Sequence, residues 1–358
     1  MNPDRLERAR QAIAAENLDA FLVSSRENVR WLTGFSGSSG MALLTAAEVF
    51  LFTDGRYTLQ AMEETSDVIV RISTDPPVKQ AAEVIAETGA GVAGFESDIL
   101  SVAQHAVLAG RVGADRLRGA EGLLSRLRAV KDAGEIAHIR RAAAITDQAF
   151  AHIVERIAPG ASEHALARDL AFILSECGAE CESFPAIIAA GARSALPHAK
   201  PSNAVVTAGE MVLLDFGAQF GGYAADITRT VFAGQPTHRF REVYQIVLDA
   251  QLTGIAAIRP GVAGRDVDAA ARRVIASAGY GASFGHGLGH QLGLSVHDGP
   301  GLSMTSPIVL EEGMVVTVEP GIYLEGWGGV RIEDDVRVTR DGCEVLTHAP
   351  KTLSSLPA

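Results

Sequence analysis

Residues 212–230 read VLLDFGAQFGGYAADITRT, while residues 314–323 and 330–338 read MVVTVEPGIY and VRIEDDVRV. Each is an apolar run closed by an acid, followed after a gap by a second strand-like run that carries another acid. In the first, Asp215 closes the run and Asp226 follows eleven residues on, across Gly221-Gly222-Tyr223. This reads as a β-hairpin that brings two carboxylates together, because a short glycine turn folds one strand back on the other. In the second, Glu319 and Glu333 stand fourteen residues apart. A lone acid in a strand usually faces solvent or pairs with a cation. Four acids in matched places need another explanation.

The flanking sequence repeats as well. RIAPGASEHALARDLAFILSECG at 156–178 and AIRPGVAGRDVDAAARRVIASAG at 257–279 each hold Pro-Gly, seventeen residues and a closing Gly. Pro159-Gly160 and Pro260-Gly261 stop one helix, and Gly178 and Gly279 fit C-caps of the next. LPHAKPSNAVVTAGEMVLLDFG at 196–217 answers SVHDGPGLSMTSPIVLEEGMVVTVEPG at 295–321, with a histidine, apolar residues, Gly, a Met-Val strand and an acid in each. We read two α–β halves related by a pseudo-two-fold. The alternative is coincidence in Ala- and Gly-rich sequence.

A chain of 358 residues has room for two domains, and 47% hydrophobic with 21% charged residues suits a packed core. A net charge of -12 argues against nucleic acid or an anionic membrane as the main partner. No apolar run is long enough to span a bilayer. The start, MNPDRLERARQAIAAENLDAFLV, reads as an amphipathic helix leading into a strand rather than a signal peptide, so a cytoplasmic location is expected. Cys177, Cys181 and Cys343 are too few for a disulfide framework and lack a partner pair at zinc spacing. They read as ordinary small residues.

Residues 1–125 read as an α/β domain. AFLVSS (20–25), GMALLT (40–45), VFLFT (49–53) and VIVRIS (68–73) look like strands; VKQAAEVIAETG (78–89) and the segment from about residue 100 look helical. GFSGSSG at 34–40 is read as a turn, since a phosphate cradle needs Gly-Lys-Ser/Thr and a helix after it. One charged helix over 126–157 is expected to open the second domain, 126–358.

GHGLGHQLGLSVHDGP at 285–300 holds His286, His290 and His297. Gly285, Gly287, Gly289 and Gly293 would each cost a helix about 1 kcal/mol, and the His-Glu-x-x-His zinc pattern is absent. A Gly-rich strand or turn that lets ligands approach closely is expected; a solvated polar loop is the bland alternative. Four buried acids would repel one another and take up protons. Two divalent cations would balance them, with His290 as the natural fifth ligand. Carboxylates plus an imidazole, without thiolate, suit manganese, cobalt, iron or zinc better than calcium or magnesium. Such a pair of metals can activate water and polarise a carbonyl, the machinery of amide or ester hydrolysis. His198 and His297 could then move protons or hold the tetrahedral intermediate.

From about residue 130 to the end, these residues resemble the pita-bread metallopeptidases: methionine aminopeptidase, prolidase and aminopeptidase P. The family's Asp, Asp, His, Glu, Glu pattern is matched in order by Asp215, Asp226, His290, Glu319 and Glu333. The resemblance implies an α+β pita-bread catalytic domain with two divalent metal ions per chain, manganese foremost and cobalt or zinc as options. It implies that Asp226 and Glu333 bridge both metals, that Asp215 chelates one, and that His290 binds the other with Glu319. Glu319 is also the implied general base. His198 in LPHAKPS, His286 in GHGLGH, His297 in VHDGP, Tyr323 in EPGIY and Arg331 in GVRIED look like the active-site surround of the proline-directed branch. The three histidines are thereby implied to be catalytic, and Tyr323 and Arg331 to bind substrate. Members of that branch cut the bond between a first residue and proline. Gln291 departs from the Gly often found after the ligand histidine, which bears on pocket shape.

GFSGSSGMALL and FTDGRYTLQA are more similar to the corresponding domain of aminopeptidase P than to that of prolidases. The implied activity is therefore an Xaa-Pro aminopeptidase acting on peptides with proline second, as a homodimer. Xaa-Pro dipeptidase is the alternative. Creatinase shares the fold without a metal, and non-enzymatic relatives lose the ligands; the complete carboxylate set counts against both.

Overall fold

A computed structural model of the chain describes residues 3–352 and the backbone of 355 and 356, so the first two residues of the expected N-terminal helix lie outside it. The chain divides into one compact unit ending at Arg128 and a second starting at Ala129.

In the first unit the helix Pro3–Ala15 leads into the strand Ala20–Val23. That strand lies inside a mixed six-stranded sheet, in the order Ile69–Ile72, Val49–Thr53, Met41–Thr45, Ala20–Val23, Ala93–Phe95, Leu117–Gly119. The first four strands in sequence fall where hydropathy put them. Ala20–Val23 and Val49–Thr53 are buried at every position, as strands covered on both faces must be. Ala93–Phe95 and Leu117–Gly119 were not anticipated. Three residues are too few to show alternation, and the second falls in a stretch read as helical. The helix there, Val102–Val112, stops at Gly113. GFSGSSG joins the helix Arg26–Thr33, capped by left-handed Gly34, to the strand Met41–Thr45.

The long charged helix expected over 126–157 is broken. Leu123–Ala129 and Ala133–Ile153 are separate helices. Between them Val130 bridges Met314 and the Lys131 amide donates to Gly313 O at 3.0 Å, so the backbone must be extended there. Asp132 then starts the next helix in a capping box with Glu135.

The second unit is built from two matching halves. The Gly160 amide donates to Val206 O, Glu163 to Ala204 O, and Val206 back to Ala161 O. In the other half Gly261 donates to Leu310 O, Gly264 to Ile308 O, and Leu310 back to Val262 O. Further on, Gly209 donates to Ala233 O as Gly313 does to Val338 O. Both glycines sit at positive φ, +86° and +93°. Each half also has its own core. Leu166, Leu170, Ile188, Leu214 and Ile227 pack in the first, and Val267, Ala271, Ile275, Val316 and Val336 in the second. The pita-bread repeat read from the sequence is thus present, with these four backbone bonds matched between the halves. Among the described residues no helix is long and apolar enough to cross a membrane.

Candidate metal centre and active site

The first pair of acids comes from the antiparallel strands Met211–Phe216 and Ile227–Ala233. Asp215 lies opposite Thr228, and Asp226 stands two residues before Thr228, hence on the same face. A small hairpin buds between them, with Phe220 paired to Tyr223 across Gly221 and Gly222. Both glycines have positive φ, +60° and +81°, which a two-residue turn of this hand requires. The second pair repeats the construction. Val318 faces Asp334, which sets Glu319 and Glu333 side by side where the strands Val315–Val318 and Asp334–Thr339 end. The intervening hairpin, Gly321–Leu324 with Gly328–Arg331, carries Tyr323 and Arg331.

His290 reaches these acids from an extended, glycine-flanked segment and not from a helix. Gly289 bridges Leu302 and Gln291 bridges Val316. The His290 amide donates to Thr317 Oγ1 at 3.0 Å, and the Thr317 amide donates to His290 O at 2.8 Å. A Cβ on Gly289 would lie 1.9 Å from Thr317 O, so only glycine permits this approach.

One ligand atom each from Asp226, His290 and Glu333 lie within 4.8 Å of one another. His290 Nε2 is 3.5 Å from Asp226 Oδ2 and 3.5 Å from Glu319 Oε1. Its Nδ1 lies 3.2 Å from Gln291 O, a bond that leaves Nε2 with its lone pair toward the acids. Asp215 stands beside this group with Oδ2 paired to Arg331. Among the described residues, Asp215 Oδ1, Asp226 Oδ1 and Glu333 Oε1 are buried without a hydrogen-bond partner. Buried carboxylate oxygens cannot be left so in a stable protein unless protons or cations satisfy them. Oxygen donors with one imidazole and no thiolate suit divalent cations of the manganese-to-zinc series. The residues present fit such ions.

The electrostatics agree. Burial, then repulsion from Glu333 and Asp215, raises the Asp226 carboxyl well above the usual range. Burial, then Glu319 and Asp215, does the same to Glu333. Burial pushes Glu319 up to about 8, against the pull of Arg331. Burial, helped by the neighbouring His297, lowers His290 to about 4, so its imidazole is neutral and free to bind a metal.

The remaining expected site residues gather around this group. The His297 ring meets the His290 ring edge-on at 4.3 Å, and His297 is exposed. His286 Nε2 lies 2.9 Å from the Tyr323 hydroxyl, which accepts from Arg331 Nη1 at 2.8 Å. A continuous chain therefore runs His286–Tyr323–Arg331–Asp215. Arg331 also donates Nε to Thr228 Oγ1 and Nη1 to Pro197 O. Protein groups thus take four of its five N–H donors. His198, next to Pro197, is exposed.

Thr228 and Thr317 were not singled out from the sequence. Thr228 Oγ1 donates to Glu333 Oε2 at 2.6 Å while accepting from Arg331, and Thr317 Oγ1 donates to Glu319 Oε1 at 3.3 Å. Each stands two residues from a site acid on its strand, so the period of two could have found them. Arg229, 1% exposed, pairs with the buried Asp334 and so anchors the strand that bears Glu333.

Residues 137–340 match the model of metallopeptidase family M24, and residues 5–130 match that of the creatinase/prolidase N-terminal domain. The chain belongs to metallopeptidase family M24, in the branch that carries this N-terminal domain. It is 42% identical to the uncharacterized peptidase YqhT of Bacillus subtilis (strain 168), over 98% of this chain and 99% of that protein. Its fold is similar to that of an Xaa-Pro dipeptidase from Bacillus anthracis, at 40% identity, TM-score 0.95 and 99% of each chain. It is similar also to an X-Pro aminopeptidase from Thermotoga maritima MSB8, at 38% identity, TM-score 0.90, 98% of this chain and 99% of that one. Relatives from Pyrococcus and Lactobacillus species, 33–34% identical over at least 94% of this chain, bear the name Xaa-Pro dipeptidase.

Proposed function

We propose that this metallopeptidase hydrolyses the Xaa-Pro bond at a two-metal site, with Xaa-Pro dipeptides as preferred substrates. The observation that carries the proposal is the buried cluster of Asp226, His290 and Glu333 with its unpartnered carboxylate oxygens. Asp226 and Glu333 would be shared between the ions, Asp215 would complete one, and His290 and Glu319 the other. When bound, divalent cations would acidify water and polarise the scissile carbonyl. Manganese is the ion we expect first, with cobalt or zinc able to serve.

Glu319 sits where a general base is needed, with Oε1 beside His290 Nε2 and held by Thr317. It can take the proton of the attacking water and return it to the departing proline nitrogen. His297 and His198 line the exposed side, where they can carry protons or steady the developing oxyanion. The chain His286–Tyr323–Arg331–Asp215 also holds Pro197, next to His198, through Arg331. A bond to proline lacks an N–H, so a site that grips the carbonyl suits it better than one that reads an amide hydrogen.

The dipeptidase preference rests on the names of the relatives and on the B. anthracis structure. One observation favours an aminopeptidase instead. A dipeptidase must hold a free carboxylate, and Arg331 has one N–H left to offer. The N-terminal stretches GFSGSSGMALL and FTDGRYTLQA lean the same way. Hydrolysis of Ala-Pro beside Ala-Pro-Ala, with manganese, cobalt and zinc each supplied, separates the two. A higher kcat/KM on Ala-Pro supports the dipeptidase. Cleavage confined to the tripeptide rejects it, and cleavage of neither rejects Xaa-Pro hydrolysis. A homodimer working in the cytoplasm completes the proposal, with sedimentation as the test of the dimer.

A further inference from the structure

Each half of the second unit sends a fully buried carboxylate from its helix toward a segment bearing a site histidine. In the first half it is Glu163, 0% exposed, at the start of the helix Glu163–Glu176. Glu163 Oε1 accepts from the Ala190 amide at 2.9 Å, and Oε2 accepts from the Ser202 amide at 2.9 Å and its hydroxyl at 2.7 Å. One carboxylate therefore ties together both ends of the stretch 190–202, with His198 near its middle. Arg193 Nε lies 3.0 and 3.1 Å from the two oxygens, and its Nη2 donates to Lys200 O at 2.8 Å.

In the second half the carboxylate is Asp268, also 0% exposed, in the helix Gly264–Ser277. Asp268 receives two bonds from Arg272, at 2.8 and 2.9 Å, and accepts from the Leu288 amide at 3.1 Å. Arg272 then donates to Phe284 O at 2.9 Å and His286 O at 2.7 Å, and its guanidinium lies 4.2 Å from the Phe284 ring centre. The segment 284–288 has neither helix nor strand of its own. The Phe284 and His286 carbonyls and the Leu288 amide find their partners on this ion pair, Leu288 O accepts from the Glu319 amide at 2.7 Å, and His290 follows two residues on.

We propose that Glu163–Arg193 and Asp268–Arg272 are paired positioning clamps, one for His198 and one for the His286–His290 segment. The proposal rests on the peptidase reading for its kinetic arm and on the proposed metal site for its affinity arm; the exchange arm rests on neither. The clamps differ in what they serve. The first holds a histidine outside the carboxylate cluster, so loosening it should impair turnover and leave metal binding intact. The second holds the segment that brings His290 to the cluster, so loosening it should weaken metal binding itself.

The test uses the full chain with Arg193→Met, Arg272→Met and, as a control, Arg265→Met, which removes an exposed charge from the same helix as Arg272. Hydrogen exchange by mass spectrometry, manganese affinity by chelator competition and steady-state kinetics are measured on each. Arg193→Met should speed exchange within 196–202 about tenfold or more, keep wild-type manganese affinity, and lower kcat by about 10²-fold, the scale of a slight misplacement. Arg272→Met should speed exchange within 284–290 and weaken manganese binding tenfold or more. Arg265→Met should match the wild type throughout. If a methionine variant does not fold, the lysine variant replaces it. Lysine keeps the ion pair, but a single ammonium does not reproduce the guanidinium's fixed reach to the loop carbonyls, so the same local changes are expected. Exchange that rises throughout the unit, or equal metal affinity in the two variants, overturns the proposal. Exchange and metal binding need no substrate, so a wild type inert toward Xaa-Pro peptides would defeat the proposed activity and leave the clamps tested.

Discussion

Glu319→Gln should stabilise the metal-free protein, and more so as the pH rises. In the metal-free chain burial lifts the Glu319 carboxyl from 4.5 to about 8. The folded state then holds this proton where the unfolded chain has released it. Stability therefore falls as pH climbs from about 4.5 to about 8, and the full penalty stands above that range. At about 1.4 kcal/mol per unit, the loss from this one group between pH 5 and pH 7 comes to about 2.5 kcal/mol. Gln has no charge to bury and can still accept from Thr317. Urea unfolding of chelator-treated wild type and variant, at pH 5 and pH 7, should show the variant's advantage growing by about 2.5 kcal/mol over that interval. Adding manganese should reverse the order, because the wild type then gains ligand binding that the variant lacks. A stability difference that stays the same at both pH values would refute the reasoning, since the clustered charge would then not be what burdens the metal-free fold.

Replacing Asp226 or Glu333 with Ala should abolish both metal retention and turnover, as seen by elemental analysis and Ala-Pro cleavage; full metal content with near-normal turnover would reject the assignment. His297→Ala should keep its metal and lose about 10²-fold in rate, with His198→Ala behaving alike. Loss of metal from His297→Ala would mean that ligand and proton carrier had been interchanged. Arg229→Met should cost about 3 kcal/mol in urea unfolding, because it strips Asp334 of its fully buried cation; a shift under 1 kcal/mol would mean that Lys351 and Gln251 suffice.

The acids were legible because a carboxylate at the end of a buried strand interrupts an apolar run, and the second half of the fold repeats that interruption. The helix pairs were legible because Pro-Gly and a closing Gly punctuate each. The break at Val130–Asp132 was not, since it exists to pair with Gly313 and Met314, far along the chain. Glu163 and Asp268 were disguised by local rules. An acid in the first turn of a helix looks like a partner for the helix dipole, and Asp268 with Arg272 looks like a solvated i,i+4 pair. Both acids are fully buried, and besides Arg193, Arg272 and the Ser202 hydroxyl their partners are backbone amides whose placement the local sequence does not announce. Arg331 was read as a substrate contact from its motif alone. Its bonds to Asp215, Tyr323, Thr228 and Pro197 appear only once four separate segments have been brought together.

We propose that the carboxylate–histidine cluster binds two metal ions and that Xaa-Pro cleavage depends on them. Titrating the metal-free chain with manganese, while following proline release from Ala-Pro and bound metal on the same samples, tests it most directly. Release is expected to be negligible without metal and to rise until two ions are bound per chain. Full activity in the thoroughly chelated protein, or saturation with metal and no proline released from either Ala-Pro or Ala-Pro-Ala, would contradict it.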